Sequence, residues 1–472
     1  MRLAIGAAVL LLCCGLVSAA PKLREYKDGK EASDAAKELG SMNGNSRKAI
    51  FKQWKRNNGK DYADDSAADR AAFAAWSDNL DAVVEHNKKS GVKFFKGLSA
   101  YSDLTFAEFK DKWLMPDRPV SDIPVVPSAK KFSPGGSRRQ LMQTPPLEFD
   151  WRDRGVVPPA RDQGGCGACW AFAGLGAMEI KARIDGTQLN PDLSEQQIVD
   201  CAGGGVGANG FGSYGCNGGW SNDAYGYVAK LQAVKETAYP YTGVTGTCRD
   251  TSVSLDGSLT MTAQPGFQGV INSAQAIMQA VSSTGPVSHY FNVQDSFYYY
   301  SGGIYQASQC TADTYNHAMI IVGYNATAGI GSPDSYFIVR NSWGNWGVDG
   351  GYIKVQMMAD DKGACLMYAG LMLPTTTANK NAGPAPVPSP SPSPKPSPPP
   401  SPSPSPRPPP PSPRPPSPSP PPRPPPPSPR PPSPSPSPPK PSPPPKLNCK
   451  GKSGKCVSAT TQAGPAPKPK KG

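Results

Sequence analysis

The chain has 472 residues, enough for two or three domains, and a formal net charge of +13. It contains 58 Pro and 49 Gly, but 39 of the Pro fall between Pro384 and Lys446, so the low-complexity bias belongs to one block and the rest has ordinary globular composition. Past the N-terminus no stretch of roughly 18 consecutive apolar residues occurs, which excludes a polytopic membrane protein, and the aromatic- and Gly-rich middle excludes a wholly disordered one.

Charge is segregated along the chain. Residues 1–145 carry 24 basic and 17 acidic side chains (+7), residues 146–374 carry 11 and 19 (−8), and residues 375–472 carry 14 and none (+14). The basic tail reads as a solubilising segment or as a contact for a polyanionic surface such as cell wall or acidic polysaccharide. The folded part shows no basic stripe with interleaved aromatics, so nucleic acid is not expected as a partner.

Arg2, an apolar run Leu3–Val17 and the exit Val17-Ser18-Ala19-Ala20 describe a cleavable signal peptide over residues 1–20; the run is short for a membrane anchor. The mature chain then meets an oxidising secretory route, ending in a vacuole or lysosome or outside the cell. Residues 21–115 are charged and helix-patterned, with Phe51, Trp54, Phe73, Trp76, Leu80, Val83 and Val84 at intervals of three and four. Residues 97–103 read as a turn or short strand, and Thr105 with Glu108 opens a further helix as a capping box. Residues 116–145 are a Pro/Gly-rich linker whose Arg138-Arg139 is either a processing site or incidental charge.

Residues 146–374 form the expected core: a helix from Cys169 toward Arg183, then strand-like runs at 286–291, 318–324, 336–340 and 351–355. Helices first and strands second predict an α+β fold with the two types segregated. Residues 383–446 are a Ser-Pro and Arg-Pro array, in which 15 of 16 positions of 407–422 recur in 423–438. Such a segment predicts a disordered polyproline II spacer, at ~3.1 Å per residue up to roughly 200 Å long. Residues 447–472 are a basic tail with two cysteines.

Cys13 and Cys14 leave with the signal, and the nine remaining cysteines are an odd number, so one is an intermolecular link or a reactive thiol. Gln163-Gly164-Gly165-Cys166-Gly167-Ala168-Cys169-Trp170 sits at a loop-to-helix junction, where a thiolate at Cys169 would feel the positive helix end. A thioredoxin-like pair would need a βαβ unit, and a zinc site a second tight ligand pair; neither is visible, and no metal or cofactor is expected. A base in the core is His289 or His317, both in strand context, unless a carboxylate serves, since His86 precedes the linker. Asn341 follows another strand and could orient a His ring, with Trp343 shielding that bond.

Cys166-Gly167-Ala168-Cys169-Trp170 resembles the signature of papain and cathepsin L-like cysteine proteases. So do Asp150-Trp151-Arg152, Gly215-Cys216-Asn217-Gly218-Gly219, Asn316-His317-Ala318 and Asn341-Ser342-Trp343-Gly344, with His317 lying 148 and Asn341 172 residues after Cys169. The resemblance, over residues ~46–372, implies a two-subdomain papain-like fold, with a helical half, an antiparallel barrel-like half and a cleft between them. It implies Cys169 as nucleophile, His317 as base and acid, Asn341 as orienter, and Gln163 in the oxyanion hole. It implies disulfides Cys166–Cys216, Cys201–Cys248 and Cys310–Cys365, leaving Cys449–Cys456 and the odd Cys169.

The family's peptide groove maps to Gly218, Gly219, Trp220, Ser221, Tyr290 and Ala318, with Gly370 nearby. Tyr290 replaces a small residue, so a shallow pocket for the substrate's second (P2) residue is expected. No insertion resembles an occluding loop, which favours an endopeptidase, with peptides and proteins as substrates and cystatin-type inhibitors as partners. The N-terminal region resembles the family's inhibitory propeptide: Phe51, Trp54 and Tyr62, then Trp76, Asn79, Val83 and Asn87, then Gly97, Ser99, Tyr101 and Asp103. Ala68 and Ala72 stand where that pattern has an ion pair, which predicts a weaker or differently triggered plug. Asn325-Ala326-Thr327 is a glycosylation sequon. The competing readings are a proline-rich matrix glycoprotein with a vestigial protease domain, and an acyl transferase or transglutaminase using the same Cys–His pair.

Overall fold

In the computed structural model the described residues are 26–124, 144–187, 190–202, 211–249, 259, 266–311 and 313–375. The signal peptide, the dibasic pair, the proline-rich array and the Cys449–Cys456 pair lie outside them.

The N-terminal region is three helices and a trailing arm. Helix α1 (Gly29–Gly40), α2 (Gly44–Asn57) and α3 (Ala67–Asn87) are each opened by a side chain that accepts a backbone N–H: Asp28, Asn43 and Ser66. Phe51, Trp54, Trp76, Leu80, Val83 and Val84 are buried where α3 packs against α1 and α2, as their spacing predicts. Strand β1 (Phe94–Lys96) lies just ahead of the expected position, and residues 97–103 are irregular and turn. Asn79 Nδ2 donates to Ser102 O (2.8 Å) and Leu104 O (2.9 Å), and Asn87 bonds Lys96 on both sides, which folds this segment back along α3. The capping box forms at Thr105 and Glu108 and starts α4 (Phe106–Trp113). Strand β2 (Arg118–Pro119) ends the arm.

Ala68 and Ala72 carry no charge, so the ion pair of that pattern is absent, and another one lies nearby. Lys55, itself buried, reaches Asp69 at 2.7 Å and Asp64 at 2.5 Å, so α2 and the start of α3 are tied by a different set of residues.

The C-terminal core begins with β3 (Glu148–Asp150). Helix α5 (Cys169–Ile184) is buried on almost every face, as a central helix must be. Its two interior glycines explain how: a Cβ at Gly174 would come within 2.7 Å of Ala224, and one at Gly176 within 2.7 Å of Arg340. The helix trades propensity for close approach to α7 (Ser221–Leu231) on one side and the sheet on the other. Helix α6 (Glu195–Cys201) packs beside it.

The second half is a seven-stranded antiparallel sheet. Its order is β10 (Tyr352–Gln356), β9 (Tyr336–Arg340), β8 (His317–Asn325), β5 (Val287–Phe291), β11 (Met372–Pro374), β4 (Phe267–Gly269), with β3 added at β8. Strand β8 is buried at eight of nine positions, which is why it reads as a continuous apolar run rather than an alternating one. Helix α8 (Ala274–Ser283) covers this sheet. Two short ladders join the N-terminal region to the core: β1 pairs β6 (Tyr300–Gly303), and β2 pairs β7 (Thr314–Tyr315). Cys166–Cys216 and Cys201–Cys248 staple the helical half, and Cys310–Cys365 the sheet half.

Replacing Lys55 by Met removes the cation from Asp69, which is buried. Losing one partner of a buried pair costs on the order of 3 kcal/mol. The precursor's Tm should fall in a thermal melt, while the mature domain, once freed of residues 26–124, melts unchanged.

Candidate active site

Two chain segments from different halves meet at the site. Cys169 opens α5, and Ala168 at the cap position offers no side-chain acceptor, so the first-turn N–H groups are directed at the sulfur's surroundings. His317 opens β8, whose pairing with β5 sets Phe291 opposite His317 and Tyr290 opposite Ala318. The Ala318 backbone reaches the Cys169 sulfur and favours its ionised form. Cys169 is the single free cysteine among the described residues.

Asn341 follows the last residue of β9 and accepts from His317 through Oδ1···Nε2 (2.8 Å). An amide oxygen can only accept, so Nε2 carries the ring proton and Nδ1 keeps its lone pair. Nδ1 is buried with no other hydrogen-bond partner. The Trp343 ring lies 4.7 Å from the His317 ring and shields the Asn341 contact. His289 makes a different contact: its Nδ1 sits 2.9 Å from the Tyr290 carbonyl.

Gln163 is fully buried and held at both ends. Ser342 Oγ donates to its Oε1, and its Nε2 donates to Cys166 O (2.8 Å) and to Trp113 O (2.8 Å). Trp113 belongs to the N-terminal arm, so a peptide carbonyl from the chain's own start already rests on the amide expected to receive one. The arm continues through the groove. Met115 N donates to Asn316 O (2.9 Å), Gly219 N meets Met115 Sδ (3.5 Å), and Asn316 Nδ2 donates to Asp117 Oδ1 (2.9 Å). Gly218, at φ +95°, lies directly beneath Met115. Above the site, Phe109 meets Trp343 edge to face at 4.9 Å and stacks on Trp113 at 5.3 Å.

This cover sets the ionisation. Burial pushes the Cys169 thiol up to about 12, against the pull of nearby backbone N–H groups. Burial also pulls His317 down to about 4, opposed by the Asn341 bond and reinforced by His289. Under the arm both groups are neutral at physiological pH. Behind Asn341, Arg161 binds Glu179, Asp192 and Glu195, and burial raises the pKa of Glu179 and Glu195 despite that guanidinium.

Of the expected groove residues, Gly218, Gly219, Trp220, Ser221, Tyr290 and Ala318 all converge here. Tyr290 fills its pocket: its hydroxyl accepts from Ser221 N (3.2 Å), and a Cβ on Gly370 would overlap its ring. Sequence reasoning missed Tyr315, whose ring lies 4.7 Å from Tyr290 and whose hydroxyl accepts from Trp220 Nε1 (2.9 Å). Its position two residues before His317 was the available signal. It also missed Tyr241, which donates to Gln163 O (2.7 Å). Asn325 of the sequon is the last residue of β8, with Thr327 donating to its side chain in the turn that follows. Among the described residues no cluster of three or more His, Cys, Asp or Glu is placed to hold a metal.

A profile for "Papain family cysteine protease" matches residues 145–375, and one for "Cathepsin propeptide inhibitor domain (I29)" matches residues 51–109. A cathepsin L-like proteinase of Fasciola hepatica is 33% identical over 310 residues, covering 65% of this chain and 87% of that protein. Pro-cathepsin H of Medicago truncatula is 32% identical, covering 74% and 93%. The chain belongs to the papain family of cysteine proteases. Its fold matches that of digestive procathepsin L2 from Tenebrio molitor (30% identity, TM-score 0.56, 70% of this chain and 99% of that one). The papain-family precursor thus carries its own I29 propeptide as inhibitor and acts on peptides.

The two neutral pKa values give a sign for propeptide release. Burial holds the His317 pKa down to about 4, below the ordinary 6.5, and exposure to water would raise it. Between those values the open form takes up more protons, so falling pH favours opening. In the Cys169→Ala precursor, which cannot cut itself, opening of the arm, read by hydrogen exchange of the Met115 N–H that donates to Asn316 O, should rise as pH drops from about 6.5 to 4 and be flat above 7. Protection that does not change with pH, after correction for intrinsic exchange rates, contradicts this.

Proposed function

We propose that the protease is an endopeptidase made as a zymogen, cutting through a thioester on Cys169 with His317 as base and then acid. The observation that carries this is the fixed tautomer of His317, with Nδ1 free, at the strand that borders Cys169. Once the arm leaves, water returns and both pKa values relax toward each other. The thiol proton passes to Nδ1, and the thiolate attacks the substrate carbonyl carbon. The C–S bond forms, and the carbonyl oxygen takes the charge between Gln163 Nε2–H and the Cys169 backbone N–H. His317 gives its proton to the leaving amine as the C–N bond breaks. Water then attacks the thioester, giving a proton to Nδ1, and the acid and the free thiol are released. Asn341 holds the ring through both transfers.

The groove supports recognition of extended peptide through Gly218 and Gly219, with Trp220, Ser221, Tyr290 and Ala318 around the second residue before the cut bond. Three disulfides support a secretory route to a vacuole, a lysosome or the exterior.

The direct test is an epoxide thiol probe. It should label the activated enzyme at Cys169, fail to label Cys169→Ala, and label the intact zymogen far more slowly at neutral pH. Labelling of Cys169→Ala equal to that of the wild type would remove the assignment. A second test concerns Tyr290, whose ring occupies the pocket. The wild type should prefer Val to Phe at the second position, and Tyr290→Ala should raise kcat/KM for the Phe peptide about tenfold. An unchanged Phe/Val ratio speaks against the filled pocket.

A further inference from the structure

The turn beneath Tyr290 has a strained backbone. Cys365 (φ +53°, ψ +36°) and Leu366 (φ +68°) are consecutive, buried and left-handed, the only adjacent non-glycine residues at positive φ among the described residues. In a left-handed leucine Cβ crowds the following carbonyl oxygen, so the conformation persists only where the surroundings impose it. Two ties impose it here. Cys365 is bonded to Cys310, and Asn292, one residue past β5, donates its N–H to Cys365 O (2.9 Å) and its Nδ2 to Thr314 O (2.9 Å).

Backbone contacts carry the position of this turn to the pocket. Leu366 O accepts from Ala369 N (2.9 Å), and Ala369 O accepts from Tyr290 N (3.2 Å). Gly370, at φ +61°, lies so close to the Tyr290 ring that a Cβ would stand 2.4 Å from it. Where Gly370 lies therefore fixes the ring, and where Gly370 lies follows from the turn. On its other side the turn faces open space: Leu366 and Ala369 line a cavity of about 420 Å³, room into which the chain can relax. In the zymogen the residues that follow the arm close both faces. Val120 lines the same cavity, and Ile123 Cγ2 would lie 3.3 Å from a Cβ on Gly370. Once they leave, the disulfide and Asn292 hold the turn.

We propose that Leu366 is a positioning residue for the pocket that Tyr290 fills: its left-handed backbone, held by the Cys310–Cys365 bond, presses Gly370 against the Tyr290 ring and keeps the pocket shallow. This rests on the endopeptidase reading and on the filled pocket above. Without the disulfide the turn swings Leu366 out of the left-handed region, Gly370 withdraws toward the cavity, and the ring gains room to move aside. With Leu366→Gly there is no strain to release, so the turn stays where its remaining contacts put it even when the disulfide is gone.

The experiment uses activated enzyme and fluorogenic peptides identical except for Phe or Val at the second position. It compares the wild type, Cys310→Ser with Cys365→Ser, Leu366→Gly, and all three substitutions combined. The Phe/Val ratio of kcat/KM should rise about tenfold on loss of the disulfide, stay at the wild-type value in Leu366→Gly, and return to it in the combined variant. The ratio is internal to each variant, so a general loss of activity does not mimic it. A disulfide that only stabilises the fold predicts no such rescue, because glycine makes the turn more flexible. A ratio unmoved by loss of the disulfide, or raised equally with and without Leu366→Gly, overturns the proposal. If the disulfide-free chain does not fold, Leu366→Val reads the same strain with the bond intact. A β-branched residue at positive φ should raise the ratio above that of Leu366→Gly, and equal ratios overturn the proposal. Tyr290→Ala separates the layers. If it moves the ratio and loss of the disulfide does not, the turn alone is dismissed; if it leaves the ratio unchanged, the filled pocket goes and the role of the turn with it. If no peptide is cut and the epoxide probe does not label Cys169, the endopeptidase reading fails, and the proposal with it.

Discussion

Water exclusion at the junction of α5 and β8 is the constraint on which the zymogen depends. Cys169 and His317 come from different halves of the core, and each would ionise readily in a wet cleft. The arm from Phe109 to Arg118 covers that cleft, and burial there favours the neutral form of both groups. The same residues that provide affinity therefore provide silence. Phe109 and Trp113 bury aromatic surface against Trp343, the residue that also shields the His317–Asn341 bond, so plug and catalytic ring share one packed cluster. No separate inhibitory device is needed.

The rigid parts of the site sit behind this cover. Gln163 is clamped by Ser342 and by the Cys166 carbonyl, with Tyr241 on its own carbonyl, so the donor stands ready whether or not a carbonyl is present. Trp113 O shows that the position accepts a peptide oxygen in the ground state. Arg161 gathers Glu179, Asp192 and Glu195 beneath the same loop, which fixes the segment leading to Gln163 against α5 and α6. Preorganisation here is built from charge pairs and side-chain clamps in the core, while the propeptide occupies the groove in front of it.

What the sequence disclosed follows from the distance over which each feature acts. The capping box at Thr105 and Glu108, the burial of Phe51, Trp54 and Trp76, and the strands from Val287 to Gln356 are set by local periodicity, and they fall where expected. Periodicity does not separate His317 from His289, because both sit in apolar strands; their contacts do differ, since Asn341, 24 residues farther along the chain, bonds His317 while His289 meets the Tyr290 carbonyl. The missing ion pair at Ala68 and Ala72 was legible, but its replacement was not. Lys55 pairs with Asp69 across a helix turn-around, a contact that no pattern within one helix can reveal. Tyr315 escaped notice because a two-residue strand has no period to read.

The tyrosines of the groove connect these levels. A Tyr at position 290 must place a polar hydroxyl inside a buried pocket, and an unpartnered hydroxyl there would cost on the order of 1–3 kcal/mol. Ser221 N satisfies it by donating across the cleft, so the ring is held over Gly370 rather than free to swing out. Tyr315 and Trp220 repeat the arrangement beside it, each polar tip meeting the other while Arg118 lies over the indole face. The propeptide covers the same surface with Arg118, whose guanidinium lies over the Tyr214 and Trp220 rings, so the arm is held at the groove by aromatic faces as well as by backbone pairing.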